Sequence, residues 1–235
     1  MIRVDKYVSD CTALSRRQAG EAIRQRRVTV NGAFEGSPDR KIDEATAEVT
    51  LDGAPLVYAR FHWYMLNKPE GHVSSTDDPS GPTVLDLLPP EKRAGLFPCG
   101  RLDKNTTGLL LLTDDGKTAH GLLSPKKHVE KEYFFTVARP VTREDAEALE
   151  RGVDIGVCVT KPCRVVLLSD TSGTITLTEG KYHQIKEMFK NRMNKVTSLK
   201  RISFGGVKLD GTLPEGGYRA LTGEELSVLT RRQEQ

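Results

Sequence analysis

Cys99-Gly100-Arg101-Leu102-Asp103-Lys104-Asn105-Thr106-Thr107-Gly108-Leu109-Leu110-Leu111-Leu112-Thr113-Asp114-Asp115-Gly116 is the stretch around which the 235-residue chain is organised. Four leucines and Thr113, bounded by Gly108 and by the turn dipeptide Asp115-Gly116, predict one buried strand. The small and polar residues ahead of it predict a loop held rigid from behind and open in front, the setting in which reactive side chains are usually placed. Asp103 is the only carboxylate in that loop. Taken by itself, Arg101-x-Asp103 reads as a local ion pair or a turn hydrogen bond.

The length predicts one or two domains, with chain enough to bury a core without disulfide or metal staples. Net charge is only +3, but the basic residues are clustered. Met1 to Gly32 holds seven Lys/Arg against three Asp/Glu, and Lys181 to Lys208 holds eight against one. Two basic blocks far apart in sequence point to two surfaces for a polyanion. Cys11, Cys99, Cys158 and Cys163 form no C-x-x-C pair and are expected to be reduced thiols, with no disulfide frame and no metal site. No apolar run approaches a membrane span and no signal peptide opens the chain, so a cytoplasmic protein without membrane association is expected.

The N-terminal residues carry a compact pattern of their own. Arg3 to Asp10 predicts a short helix, and Ser15 followed by Gln18 is a capping-box start for a second helix through about Gln25. On that helix Ala19, Ala22 and Ile23 share one face, while Arg16, Arg17, Gly20 and Arg24 fall on a neighbouring arc. A glycine within this arc is expected to let a phosphate backbone come close, with the arginines, and Arg27 just beyond, to neutralise and orient it. Arg26 to Gly32 reads as a strand ending in an Asn-Gly turn.

From Ala33 the chain turns acidic and turn-rich, with a strand expected over Ala47 to Leu51. A boundary after Tyr58 divides the chain into a small domain over residues 1–58 and a larger one over 59–235. His62 to Leu66 predicts a strand stopped by Asn67-Lys68-Pro69-Glu70-Gly71, in which Lys68 is either an RNA phosphate contact or a turn lysine. Glu132 to Val137 is a clear strand, Arg143 to Gly152 a helix, and Thr174 to Thr178 a strand. That last strand runs into Glu179-Gly180-Lys181-Tyr182-His183-Gln184-Ile185-Lys186, which enters a helix.

The motif from Gly100 to Gly116 resembles the catalytic motif of the RsuA/RluA-type pseudouridine synthases, and by that resemblance Asp103 stands at the catalytic aspartate. Met65-Leu66-Asn67-Lys68-Pro69-Glu70-Gly71 resembles another element of the family, and Ser75 to Val84 resembles the branch acting on small-subunit rRNA. Lys131-Glu132-Tyr133 matches the family's tyrosine. Glu179 to Lys186 resembles its third motif, where a basic residue, by position Lys186, pairs with the aspartate. Ahead of these, Arg3-x-Asp5-Lys6, Ser15-Arg16 and Val28-Thr29-Val30-Asn31-Gly32 resemble the S4 RNA-binding domain. The resemblance covers nearly the whole chain. It implies an α+β fold: a small S4 RNA-binding domain plus a pseudouridine synthase catalytic domain with a mixed, mainly antiparallel sheet. Two positions depart from the family. Glu187 stands where a second basic residue is common, and Met193 where a glycine usually follows the helix. A methionine is strained at a left-handed cap, so Asn194 is expected to take that conformation instead.

The implied reaction breaks the N1 glycosidic bond of a uridine, turns the base and rejoins it to the sugar through C5, with no cofactor and no metal. It needs a carboxylate near C1′, as glycosidases do, and Asp103 is the candidate. Tyr133 offers a ring face and a hydroxyl to a flipped base, and a cation such as Lys186 beside a partly buried carboxylate favours its ionised form. Arg101, Lys181 and His183 are candidate RNA contacts with Arg16, Arg17, Arg24, Arg27 and Lys68. The expected substrate is small-subunit ribosomal RNA or an assembly intermediate, and the expected state a monomer. Three other readings stand beside it. One is the same chemistry on large-subunit rRNA, against which the Tyr182-His183-Gln184 wording argues. Another is a non-catalytic RNA-binding assembly factor, which requires none of Asp103, Tyr133 and Lys186. The third is a glycoside hydrolase, for which no second acid stands in a recognisable motif.

Overall fold

The computed structural model describes residues 1–12, 14–58, 61–79 and 81–231. The chain forms two compact units, Met1–Phe61 and His62–Gln235. The boundary expected after Tyr58 abuts Ala59 and Arg60, which lie outside the described residues, as does Ser80 of the turn-rich loop.

In the first unit, β1 (Ile2–Arg3) leads into α1 (Val4–Cys11) and α2 (Arg16–Arg24). These are followed by β2 (Val28–Val30), β3 (Ala33–Phe34), β4 (Lys41–Ile42), β5 (Val49–Leu51) and β6 (Ala54–Leu56). The capping box closes as expected: Ser15 Oγ accepts from Gln18 N and the Gln18 side chain accepts from Ser15 N. Val4, Tyr7 and Val8 of α1 and Ala19 and Ile23 of α2 pack on Val28, Val30 and Val49 of the sheet. Between β2 and β3, Asn31 and Gly32 both take positive φ, the turn whose twist suits a two-residue hairpin. Gly20 does not open the helix to a phosphate backbone. It is buried beside Pro38, and a Cβ there would make only ordinary contacts at 3.8 Å, so the position presents no open surface and does not itself require a glycine. Among the expected RNA contacts, Arg24 is exposed, Arg16 reaches Asp5 at 3.2 Å, Arg17 reaches Glu21 at 3.4 Å, and Arg27 forks onto Asp52.

The second unit is built on β7 (Trp63–Lys68), β8 (Phe97–Cys99), β9 (Thr107–Thr113), β10 (Lys131–Val137), β11 (Arg164–Ser169), β12 (Ser172–Leu177), β13 (Val196–Phe204), β14 (Val207–Lys208) and β15 (Tyr218–Ala220). They form one mixed sheet in the order β11-β12-β10-β13-β9-β7-β15, with β14 on β13 and β8 on β9. Among the described strands only β9 and β13 run parallel. The helices are α3 (Pro90–Arg93), α4 (Gly116–Leu123), α5 (Arg143–Arg151), α6 (Gln184–Asn191) and α7 (Gly223–Arg231).

The leucine run of β9 is buried on both faces, which is why it lacks alternation. Leu110 and Leu112 join a core with Phe135, Ile175 and Leu199, closed by Leu149 of α5 and by Ile185, Met188 and Phe189 of α6. Leu109 and Leu111 face the other way, among Met65, Phe204, Ala119 and Leu122 of α4 and Leu229 of α7. The parallel pairing of Gly108 with Arg201 brings the start of β9 tightly against β13. A Cβ at Gly108, whose φ is +94°, would stand 2.3 Å from the Arg201 carbonyl oxygen. No side chain fits there, so this glycine is what lets the loop before β9 sit beside β13.

The end of α6 corrects the expectation for Asn194. Met193, not Asn194, takes the left-handed conformation, at φ +54°, and its side chain is exposed. Asn194 N donates to Phe189 O, while the Asn194 side chain accepts from Arg139 N and donates to Arg139 O, which holds Asn194 where it is. The left-handed backbone at a residue with a Cβ costs about 1 kcal/mol. Met193→Gly is accordingly expected to stabilise the protein by about that amount, read as a higher thermal midpoint. An unchanged or lower midpoint would show that the methionine side chain contributes more than its backbone costs.

Candidate active site

The loop between β8 and β9 is fixed by backbone bonds from below. Ser74 Oγ donates to Leu102 O at 2.9 Å and accepts from Leu102 N at 3.0 Å. Thr106 N donates to Asp103 O at 3.0 Å. Lys68, at the end of β7, is fully buried, and its ammonium donates to the carbonyls of Pro69, Asp103, Lys104 and Thr106 at 2.9–3.3 Å. The phosphate contact expected of Lys68 is therefore excluded, since no anion reaches a side chain with no exposed surface and four carbonyls around it. Its role is to tie down the loop that carries Asp103.

Burial pushes the Lys68 ammonium down to about 8, against the favourable charges of Asp103 and Glu70. A lysine whose folded pKa lies below its unfolded value takes up a proton on unfolding between the two, so its share of stability rises with pH across that window. Lys68→Met is expected to lower the unfolding free energy at neutral pH by about 2 kcal/mol, by stranding the loop carbonyls. It is also expected to flatten the rise in stability above pH 8; urea unfolding from pH 7 to 10 measures both. Equal stability and an equal slope in the variant would remove Lys68 from this role.

With the backbone held, the Asp103 carboxylate points at α6. Lys186 Nζ, from the third residue of that helix, lies 2.6 Å from Asp103 Oδ2 and also donates to Asn105 Oδ1. His183 precedes α6 in a left-handed conformation, φ +51°, and its Nε2 lies 3.6 Å from Asp103 Oδ1. Both members of the Asp103–Lys186 pair are about three-quarters buried. Tyr133 points from β10 into the same pocket, a space of about 90 Å³ whose walls include Leu102, Thr106, Leu177, Ile185 and Leu199. Asp103, Tyr133 and Lys186, 83 residues apart at the extremes, are thus brought to one place. The arrangement sets an anion–cation pair and an aromatic ring in a pocket of mixed polar and apolar walls, fit for stabilising positive charge that develops on a bound reactant.

The pocket shares Asp103, Tyr133 and His183 with a larger cleft of about 1010 Å³. Arg101 and Lys181 are exposed along it, as their expected contact with a polyanion requires. Lys161 is a further exposed lysine on this cleft, and Lys131 and Arg201 lie deeper. Burial, with the neighbouring Arg201 cation, pushes the Lys131 ammonium down to about 8. Sequence reading missed the residues that brace the site. Gln184 accepts from Lys181 N and donates to Glu179, whose Oε1 also accepts from Lys161 N; these bonds span 2.8–2.9 Å. A buried Glu and Gln inside a motif rich in basic residues is the signal that they serve the backbone. Among the described residues no group of three or more His, Cys, Asp or Glu side chains is placed to hold a metal ion, and no helix is long and apolar enough to cross a membrane.

The profile of the RNA pseudouridylate synthase family matches residues 62–191. An uncharacterized RNA pseudouridine synthase, YtzG, of Bacillus subtilis is 44% identical over 238 residues, covering 99% of this chain and all of the relative. Ribosomal small subunit pseudouridine synthase A of Escherichia coli K12 is 41% identical, covering 96% of this chain and 99% of the relative. The same-named protein of Pasteurella multocida is 40% identical, covering 98% and 100%. A crystal structure of a pseudouridylate synthase superposes with a TM-score of 0.70 at 39% identity, covering 97% of this chain and all of that one.

Proposed function

The chain belongs to the RNA pseudouridylate synthase family, in its RsuA-type branch, and from that premise we propose that it isomerises a uridine of small-subunit ribosomal RNA with Asp103 as the catalytic carboxylate. The observation that carries the proposal is the Asp103–Lys186 pair, 2.6 Å apart, in a pocket walled by Tyr133. A uridine flipped out of its stack enters with its sugar at Asp103 and its base against the Tyr133 ring. As the N1–C1′ bond breaks, positive charge grows on the sugar and the carboxylate stabilises it. The freed uracil turns within the pocket, C5 bonds to C1′, the proton on C5 leaves to solvent and N1 takes one up, so the net change is isomerisation. Leu102, Leu177, Ile185 and Leu199 limit water at the cleaved sugar, which hydrolysis would leave abasic.

Lys186 fixes the carboxylate and balances its charge before the substrate arrives. Arg101, Lys181 and His183 line the cleft where the RNA strand leaves the pocket, and the first unit, with Arg16, Arg17, Arg24 and Arg27 on its surface, acts as an S4-type RNA-binding domain. The small-subunit target is supported by relatives of that name at 40–41% identity over nearly the whole chain. Tritium release from 5-tritiated uridine tests the target. Release from small-subunit rRNA but not from large-subunit rRNA is expected; the reverse preference would move the substrate to the large subunit.

A further inference from the structure

We propose that Tyr182, stacked on His183 at the mouth of the cleft, is a binding platform for the nucleobase next to the flipped uridine. The proposal rests on the reading that the cleft binds RNA. Tyr182 is 84% exposed, an unusual state for a large aromatic side chain, and it lines the same cleft as Asp103. Its ring is nevertheless fixed. The Tyr182 and His183 rings stack at 3.9 Å between centroids with 19° between planes, leaving the other face of Tyr182 bare.

The bracing below the stack explains why this geometry holds without RNA. Gln184 and Glu179 close the turn around Lys181 through the bonds described above, and the left-handed backbone at His183 turns its ring inward while Tyr182 faces out. A platform ordered in the free protein loses little conformational freedom on binding. Its position matches the chemistry. His183 touches both Tyr182, by its ring face, and the Asp103 carboxylate, by Nε2 at 3.6 Å, so a base laid on Tyr182 belongs to a nucleotide adjoining the one at Asp103. Extruding a uridine takes stacking away from its neighbour, and the Tyr182 face replaces it. Lys181 and Lys161, exposed on the same cleft, are placed for the intervening phosphates. Stacking of this kind accepts any base, so the site adds affinity and position without reading base identity.

The test uses the full-length protein and its Tyr182→Ala, Tyr182→Leu and Tyr182→Phe variants. The first probe is a decamer of uridines carrying 2-aminopurine at its fifth position, whose fluorescence falls when the base stacks on an aromatic ring. Wild type and Tyr182→Phe are expected to quench it, whereas the Ala and Leu variants are expected to quench little and bind about ten-fold more weakly. The second measurement is tritium release from small-subunit rRNA, where the Ala variant is expected to raise KM about ten-fold and Phe to restore it. Equal quenching and equal KM in wild type and Tyr182→Ala, with tritium released by both, would overturn the platform and leave the synthase reading intact. Tyr182-dependent quenching without tritium release from any rRNA would uphold the platform and overturn the synthase reading.

Discussion

Asp103→Asn is expected to slow uridine isomerisation by at least about 10³-fold while changing RNA affinity by less than about three-fold. Asparagine has the shape of aspartate, and its Oδ1 still accepts a hydrogen bond from Lys186, so the loop held by Lys68 and Ser74 keeps its place. What is lost is the negative charge at the sugar. The substrate carries no positive charge in the ground state and gains it only as the glycosidic bond breaks, so the loss falls on the transition state and on kcat rather than on binding. Single-turnover tritium release gives the rate and filter binding of rRNA gives the affinity. Activity within ten-fold of wild type would remove Asp103 from the chemistry.

The second large effect is expected at Lys186. Lys186→Met keeps the apolar stem but removes the ammonium that bonds both Asp103 Oδ2 and Asn105 Oδ1. Without it the carboxylate is free to turn toward water or toward His183, whose Nε2 stands 3.6 Å from the other oxygen. A charge-assisted bond that fixes a catalytic group is worth about 3 kcal/mol, so kcat is expected to fall about 10²-fold, with KM little changed. Lys186→Arg is expected to recover part of this, because a guanidinium restores the charge but its planar fork cannot sit as a point between two oxygens. Equal rates for the Met variant and wild type would show that the pair is structural only.

Much of the site was legible because its chemistry is written in contiguous motifs. The loop with Asp103 leads directly into its strand and Lys186 follows the strand that ends at Leu177, and it was the resemblance of these two stretches to family motifs that named both residues. The buried strand of leucines followed from its own residues, and the α+β class from the resemblance, with which the succession of strands agreed. The RNA phosphate contact offered for Lys68 beside the turn reading failed because a lysine in Asn-Lys-Pro-Glu-Gly has the pattern of an exposed residue. Only the tertiary fold shows that four carbonyls converge on its ammonium. Gly20 and Met193 failed for the same reason: whether a glycine lies on an open surface, or which residue takes the left-handed backbone, is decided by neighbours distant in sequence, Pro38 beside Gly20 and Arg139 bonded to Asn194. The edge strand β11 also escaped, since its Val-Val-Leu-Leu run does not alternate even though Val166 and Leu168 are exposed. Tyr182 was quoted within a motif, but only the structure shows its ring stacked and uncovered.

The most direct test is nucleoside chromatography of small-subunit rRNA incubated with excess protein under single-turnover conditions, with Asp103→Asn in parallel. One uridine per rRNA is expected to become pseudouridine with the wild-type protein and none with the variant, with no free uracil in either sample. Free uracil and an abasic sugar would make the protein a glycosidase, and unchanged nucleosides on bound RNA would make it a binding factor. Either result would contradict the assignment of Asp103, Tyr133 and Lys186 to uridine isomerisation.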